Sequence, residues 1–155
     1  MKHLNNNKGS TITTAVIVLL IVMVLTGGFY MLAGAYYRNT INEYSERQAY
    51  LYAKGECTVL GNYLVSYGDK SSNPYWVPNV GETMNLKNIE IHKVDANGND
   101  TGEKISRIQS SSGTITRESE DKMVFKVTVK VGGESSTVTL TCQQNNNNWE
   151  IGTYK

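Results

Sequence analysis

The stretch Ala15–Tyr37, AVIVLLIVMVLTGGFYMLAGAYY, decides the fold class because it is a long apolar run without a charged residue. An apolar stretch of this length can cross a bilayer as an α-helix. It comes after a short polar segment, Met1–Gly9 (MKHLNNNKG). Lys2 and Lys8 precede the run, whereas Arg38 behind it is soon followed by acidic residues. The positive-inside bias therefore predicts a cytosolic N-terminus and an exported C-terminal part.

Length and composition limit the part of the chain beyond the apolar run. The chain has 155 residues, of which about 118 remain for a soluble part, enough for one small domain. Lys and Arg total 15 and Asp and Glu total 14, so the net charge gives no argument for a nucleic-acid partner. The two cysteines are too few for a disulfide scaffold, although an exported domain permits one bridge.

The helix is predicted to continue past the apolar run, over residues 38–67. Apolar residues recur there at alternating spacings of three and four, which places them in one stripe on a helix surface. The stripe consists of Tyr50, Ala53, Cys57, Leu60, Leu64 and Tyr67. A continuous helix over residues 10–67 would be about 85 Å long. Gly68 is the predicted helix stop, whereas Gly55 and Gly61 each weaken the helix by about 1 kcal/mol relative to Ala.

Beyond the helix, turn formers and short strand patterns alternate. Turn-forming residues dominate Gly68–Met84, which predicts a loop. Asn97–Gly98 is a hairpin signal, and the run Asn145–Asn148 predicts a loop tip. The weaker predicted strands are Asn88–Val94, Thr101–Gln109, Gly113–Arg117 and Trp149–Tyr154.

The strongest strand pattern is Lys122–Val131, where apolar and polar side chains alternate. Gly132–Gly133 is a candidate two-residue hairpin turn directly after it. The predicted facing pairs are Val131 with Glu134, Val127 with Val138, Phe125 with Leu140, and Met123 with Cys142. The register set by the turn thus agrees with the register that the apolar pattern requires.

These patterns predict an α+β fold. A long N-terminal helix, with a membrane half and an amphipathic half, would pack on an antiparallel β-sheet. The predicted division is a leader, 1–9; a transmembrane helix, 10–37; its amphipathic continuation, 38–67; and a loop with an antiparallel β domain, 68–155.

Two interpretations of the N-terminus remain open. In the first, the region is a conventional signal peptide with Ala15–Leu25 as its apolar core, cleaved after the small residues Ala33 and Ala35. In the second, cleavage falls before the apolar run, between Gly9 and Ser10, and the membrane helix stays in the mature protein.

The junction Lys8-Gly9-Ser10, directly ahead of the apolar run, resembles the N-terminus of type IV prepilins and type II secretion pseudopilins. The interruption of the apolar helix by Gly27 and Gly28 is also similar to this family. The segment Arg47–Gly55 (RQAYLYAKG) resembles minor pilins of the tip-complex kind. The resemblance covers residues 8–64. It implies a pilin-like fold, cleavage between Gly9 and Ser10, N-methylation of Ser10, and a membrane helix that is kept as the assembly element.

One departure from the family lies in this helix. Most pilins carry a glutamate at the fifth mature residue, where this chain has Thr14. In the family that glutamate normally pairs with the N-terminal amine of a neighbouring subunit, since a carboxylate in lipid needs a partner to offset its desolvation. Its absence implies an accessory subunit rather than the subunit that builds the filament body.

The function implied by the resemblance is structural. The chain would be a minor pilin or pseudopilin that is assembled into, or initiates, a type IV pilus or a related secretion filament. Its partners would be other pilin subunits, the prepilin peptidase, the pilus assembly platform and the membrane, with no nucleic acid indicated. It would be a single-pass precursor in the cytoplasmic membrane with an exported C-terminal domain, and later part of a cell-surface pilus or envelope filament. The alternative is a membrane-anchored or secreted β-rich binding module with a conventional signal segment.

The two cysteines are predicted to meet at the helix–sheet interface. Cys57 lies on the helix stripe and Cys142 on the apolar face of the predicted sheet. A disulfide between them would close a loop of about 85 residues and contribute about 4 kcal/mol in the chain-entropy model. Two buried free thiols are the other possibility.

No enzymatic, cofactor-binding or metal-binding function is predicted. The sequence contains no GxSxG, HExxH, P-loop or dinucleotide-binding pattern. His3 and His92 stand without a second His or Cys at ligand spacing, and a zinc site needs three or four such ligands. No residue is therefore proposed from the sequence as catalytic, as a cofactor contact or as a metal ligand.

Overall fold

A computed structural model of the protein describes residues 7–69, 77–97 and 99–155. Met1–Asn6 of the predicted leader lie outside the described residues. The described chain forms two compact units, the first ending at Ile41 and the second running from Asn42 to Lys155. Its elements are α1 (Asn7–Tyr67), β1 (Thr83–Lys87), β2 (His92–Val94), β3 (Asp100–Lys104), β4 (Ile108–Ser119), β5 (Lys122–Val131), β6 (Glu134–Asn145) and β7 (Asn148–Tyr154). The predicted α+β class is confirmed.

The helix α1 ends where the sequence indicates. The last helical residue is Tyr67, and Gly68 comes next with a φ of 66°. The N–H of Gly68 donates to the carbonyl oxygen of Leu64 at 2.8 Å. A glycine in this left-handed conformation satisfies a terminal helix carbonyl without steric cost. The described helix also includes Asn7, Lys8 and Gly9, the last three residues of the predicted leader.

The larger sheet has five strands in the order β1-β4-β5-β6-β7, and all its neighbours are antiparallel. The predicted β5–β6 register is confirmed, from Val131 opposite Glu134 to Met123 opposite Cys142. The turn glycines, Gly132 and Gly133, have φ values of 59° and 95°. Both values lie in the positive-φ region that a two-residue hairpin turn requires. Glycine adopts this region with less steric strain than any other residue.

Several weak sequence predictions need correction. The strand predicted over Thr101–Gln109 ends at Lys104, and Ile108 and Gln109 belong to β4. Residues Thr83 and Met84, predicted as loop, begin β1, which pairs with β4. The strand predicted over Asn88–Val94 is only the short β2, since Asn88 has a φ of 53° and interrupts the extended chain. A five-residue strand at a sheet edge has too few alternations to be recognised before its partner is known.

The predicted hairpin at Asn97–Gly98 is real, although its turn is longer than two residues. β2 and β3 form a separate two-stranded sheet. The turn is closed by a hydrogen bond from the N–H of Asp95 to the carbonyl of Asn99 at 2.9 Å. The Asp95 carboxylate also accepts from the N–H of Asn97, at 2.8 Å. Gly98 itself lies outside the described residues.

Within the second unit, α1 packs on one face of the five-stranded sheet. Its contribution to the buried core includes Ala49, Ala53, Cys57 and Leu64, all with 0% exposure. The sheet contributes Ile115, Met123, Phe125, Val127, Val129, Val131, Val138, Leu140, Cys142 and Trp149.

The predicted apolar stripe is correct at its centre and wrong at its ends. Tyr50 and Tyr67 are 41% and 65% exposed, whereas Ala49 and Gly61 are buried. The contact is built on small side chains because the helix lies very close to the sheet. A Cβ on Gly61 would lie 2.7 Å from Cδ2 of Leu140.

Candidate functional site

The apolar half of α1 presents its side chains to the outside. Every large apolar side chain from Ile12 to Tyr37 is at least 51% exposed. An exposed apolar surface of this extent marks a contact with a membrane or with another protein. By length and composition α1 is able to cross a membrane and to act as an anchor, a test that N-terminal signal sequences also pass.

The predicted cleavage junction lies within the helical backbone. Gly9 and Ser10 both belong to the first turns of α1. Thr14 lies one turn later with an exposed side chain. Together with Ala15, Val18, Leu19 and Val22, Thr14 lines a shallow strip along the helix surface. The fifth residue after the junction is thus a neutral hydroxyl within an apolar surface.

The glycine pair in the middle of the apolar helix has no steric role in the described chain. A Cβ on Gly27, Gly28 or Gly34 would meet no atom within 4 Å. Each glycine inside a helix costs about 1 kcal/mol relative to Ala. The packing of the described residues therefore gives no reason for glycine at these positions.

The residue before the pair adds a local perturbation of the helix. The hydroxyl of Thr26 donates to the carbonyl oxygens of Val22 and Met23, at 2.8 and 3.0 Å. Such back-bonding of a threonine competes with the helical hydrogen-bond ladder and often bends a helix. The back-bonding of Thr26 thus comes directly before two residues of low helix propensity, Gly27 and Gly28.

The cysteine pair shares one core, as predicted, and both side chains are free thiols with 0% exposure in this structure. The thiol of Cys57 donates to the carbonyl oxygen of Val138 at 3.4 Å. Burial raises the pKa of the Cys142 thiol to about 11. Because the thiolate is the species that attacks in disulfide exchange, oxidation of this pair at neutral pH is slow unless the core opens. The bridge stays a prediction.

His92 lies on the small β2–β3 sheet between two carboxylates. Its Nδ1 is 3.0 Å from Oδ2 of Asp100, and its Nε2 is 3.6 Å from Oε2 of Glu90. The hydrogen bond to Asp100 is the main cause that raises the pKa of His92. Within the described parts of the chain, no group of three or more His, Cys, Asp and Glu side chains is arranged to hold a metal ion. His92 thus lies between the carboxylates of Asp100 and Glu90, an arrangement that we call the clamp.

The charged surfaces of the β domain depend on strand pairing and are not evident from the sequence. Lys93 of β2 pairs with Glu103 of β3 at 2.9 Å, and Lys104 of β3 pairs with Glu90, which precedes β2, at 2.5 Å. The sequence did not determine the register that brings these residues together. Lysines on the solvent side of β5 were visible in the alternating pattern of Lys122–Val131. Lys87 of β1, which lies on the same face two strands away, was not evident from the sequence because β1 was not predicted.

No protein-family model, curated protein or solved structure matches this chain.

Proposed function

We propose that this protein is a minor pilin or pseudopilin, a structural subunit that enters or initiates a type IV pilus or a related secretion filament. One observation carries the proposal. An apolar helix preceded by Lys8-Gly9-Ser10 exposes all its large apolar side chains and contains glycines with no steric role in the described chain. We interpret these glycines as positions at which neighbouring membrane helices approach, which supports a helix that is kept in the mature protein.

The proposed mechanism is lateral packing of membrane helices. In lipid, helices associate through small residues that let their backbones approach, rather than through the hydrophobic effect. Gly27, Gly28 and Gly34 offer such sites on α1. After cleavage between Gly9 and Ser10, residues 10–37 would pack against the corresponding helices of other pilin subunits. Thr14 carries no charge that needs a neighbour's amine, which suits an accessory position in the assembly.

The test is the identity of the mature N-terminus. The full chain is expressed with and without an active prepilin peptidase, and its N-terminus is determined by mass spectrometry. The expected product is an N-methylated Ser10, formed only with the peptidase. The substitution Gly9→Val should block cleavage, while Gly55→Ala, a glycine outside the junction, should leave cleavage unchanged.

Two outcomes contradict the proposal. A product that starts at Tyr36 identifies a conventional signal peptide and favours a secreted β-rich binding module. An intact Met1 despite an active peptidase favours a membrane-anchored module without filament partners.

Packing is tested separately from cleavage. Gly27→Leu and Gly28→Leu should leave the β domain folded but reduce cross-linking to other pilin subunits in the membrane. Val24→Leu, which adds a methylene to the same apolar surface, serves as the control. Equal cross-linking by all variants would refute the proposed role of the glycine pair.

A further inference from the structure

The five-stranded sheet has a second face, turned away from α1, that differs sharply from the buried one. We call it the outer face. The strand register arranges its central residues in three rows across the strands. They are Asn85, Thr114, Lys126 and Thr139; Lys87, Ser112, Thr128 and Thr137; and Ser110, Lys130 and Ser135. These rows contain lysines, hydroxyls and one amide, without a carboxylate or an aromatic ring.

The lysines of these rows are not neutralised. Lys87, Lys126 and Lys130 are exposed and form no ion pair within the part of the chain that the structure describes. Three other lysines, Lys93, Lys104 and Lys122, each pair with a glutamate, at 2.9, 2.5 and 2.6 Å. The positive charge of the outer face is therefore available to a ligand, unlike the charge of those paired lysines.

The geometry brings these charges around one place. With strands about 4.8 Å apart and about 3.3 Å per residue, the Cα atoms of Lys87, Lys126 and Lys130 form a triangle with sides of about 12–13 Å. A shallow depression lies on the Lys87 and Lys126 side of this triangle, and Lys130 lies outside its lining. It is lined by Asn85, Lys87, Ser112, Thr114, Lys126 and Thr128. The flexible four-carbon stems of the lysines let their ammonium groups turn towards a ligand in the depression.

The chemistry of the depression selects an anionic ligand. Ammonium groups provide point charges for phosphate oxygens, and the hydroxyls of Ser112 and Thr128 are able to donate to the same oxygens or to accept from a polyol. The absence of aromatic rings in the rows removes the stacking on which binding of single-stranded nucleic acid depends. Double-stranded DNA carries one charge per about 1.7 Å of its axis and is bound by many phosphate contacts, more than this compact triangle supplies.

We propose that the outer face binds a thin polyol-phosphate polymer of the cell surface, of the poly(glycerol phosphate) kind. Lys87, Lys126 and Lys130 contact its phosphodiester groups, and Ser112 and Thr128 form the floor. The choice of a cell-surface polymer rests on the export of the β domain proposed above. The binding itself requires neither cleavage at Gly9 nor filament assembly.

The experiment measures binding of soluble poly(glycerol phosphate) to the full chain in non-ionic detergent micelles, by calorimetry at several salt concentrations. With about three phosphates neutralised, log Kd should rise with log salt with a slope of about 2. The triple variant Lys87→Gln, Lys126→Gln, Lys130→Gln should bind at least about tenfold more weakly. The matched control is Lys54→Gln, Lys93→Gln, Lys104→Gln, which removes the same charge from positions outside the outer face and should bind as the wild type does.

A second variant tests the hydroxyl groups in the depression separately from the lysine charges. Ser112→Ala with Thr128→Val keeps the lysines and should weaken binding by about threefold, the net value of about one hydrogen bond. The thermal unfolding of each variant verifies that the sheet is intact.

Three results overturn the proposal. One is the absence of polymer binding by the wild-type chain at low salt. Another is an equal loss in both triple variants, which indicates net charge alone. The third is tighter binding of double-stranded DNA with the same number of phosphates, which assigns the face to nucleic acid. Failure of the filament proposal is recognised independently, because it is read from the N-terminus at Ser10 and not from polymer binding.

Discussion

At the scale of single residues, Gly61 fixes how close the helix lies to the sheet. Its missing side chain leaves room for Leu140 and Ile151, whose atoms would lie 2.7 and 3.4 Å from an added Cβ. Gly55 lies on the same helix but faces open space. The two glycines look alike in the sequence, yet they have opposite roles in the structure.

The substitutions Gly61→Val and Gly55→Ala should therefore have effects of opposite sign. Gly61→Val forces Leu140 out of its position and should lower the free energy of unfolding of the β domain by about 1–3 kcal/mol, as overpacking does. Gly55→Ala should raise it by about 1 kcal/mol through helix propensity. Urea unfolding of the full chain in micelles measures both. A neutral Gly61→Val would show that the helix does not approach the sheet this closely.

His92 gives a prediction about pH. Its pKa is raised above the ordinary value of about 6.5, mainly by the hydrogen bond to Asp100. Glu90 on the other side and Glu56 on α1 also interact electrostatically with the ring. The contribution of the charged His92 to stability is therefore complete below the unfolded-state pKa and is lost as the pH rises through the folded-state pKa.

The measurement is an NMR titration of the histidine ring protons in the full chain. His92→Gln identifies the His92 signal by its loss. Asp100→Asn removes the main partner and should move the pKa of His92 down. A His92 pKa at or below the ordinary value in the wild-type chain would exclude the clamp between Asp100 and Glu90.

At the scale of elements, the β5–β6 hairpin is held by its turn and by a contact of that turn with α1. Gly132 has a φ of 59°, and a Cβ on it would lie 2.5 Å from Oγ and 3.1 Å from Cβ of Ser45. Ser45 itself is only 6% exposed. The turn thus needs a glycine for two independent reasons, its backbone conformation and its approach to the helix.

These two reasons can be separated by mutation. Gly132→Ala should destabilise the β domain by about 1–3 kcal/mol. Adding Ser45→Ala removes the nearest atom and should recover part of that loss, while the cost of the left-handed conformation remains. Gly133→Ala, where nothing lies within 4 Å of an added Cβ, is the control for backbone strain alone. Strict additivity of Gly132→Ala and Ser45→Ala in unfolding free energy would refute the contact.

The predictability of the strands depended on their length. β5 and β6 contain 10 and 12 residues, and their alternation identified the strands, the turn and the register together. β1 has 5 residues and β2 has 3, which is too short for a period to emerge. The position of β1 is fixed by its backbone hydrogen bonds to β4, and that of β2 by its hydrogen bonds to β3. No local sequence pattern predicts these pairings.

At the scale of the whole molecule, the cysteine pair links α1 to the sheet. If an oxidising envelope forms the Cys57–Cys142 bridge, the closed loop should stabilise the β domain by about 4 kcal/mol, less any strain. Alkylation of the unfolded chain under non-reducing conditions, followed by mass spectrometry, tests this. The expected result is no alkylation without reductant and two alkylated thiols with it. Alkylation of both thiols in chain isolated without reductant would refute the bridge.

The α+β fold class follows from local patterns in the sequence. These patterns are the uncharged apolar run near the N-terminus, the amphipathic continuation that stops at Gly68, and the alternating hairpin around Gly132–Gly133. Each depends only on residues close together in the chain, so each can be recognised from the sequence. The resemblance of the Gly9–Ser10 junction to prepilins depended on the same local information.

Which residues meet in the core and on the outer face depends on the tertiary structure. It replaced Tyr50 and Tyr67 with Ala49 and Gly61 in the core, because close approach between helix and sheet favours the smallest side chains. It also brought Lys87 of β1 beside Ser112 and Thr128, at positions far apart in the chain. Such neighbours arise from strand pairing over long sequence separations, and the pairing is set by the packing of the whole domain rather than by any one segment.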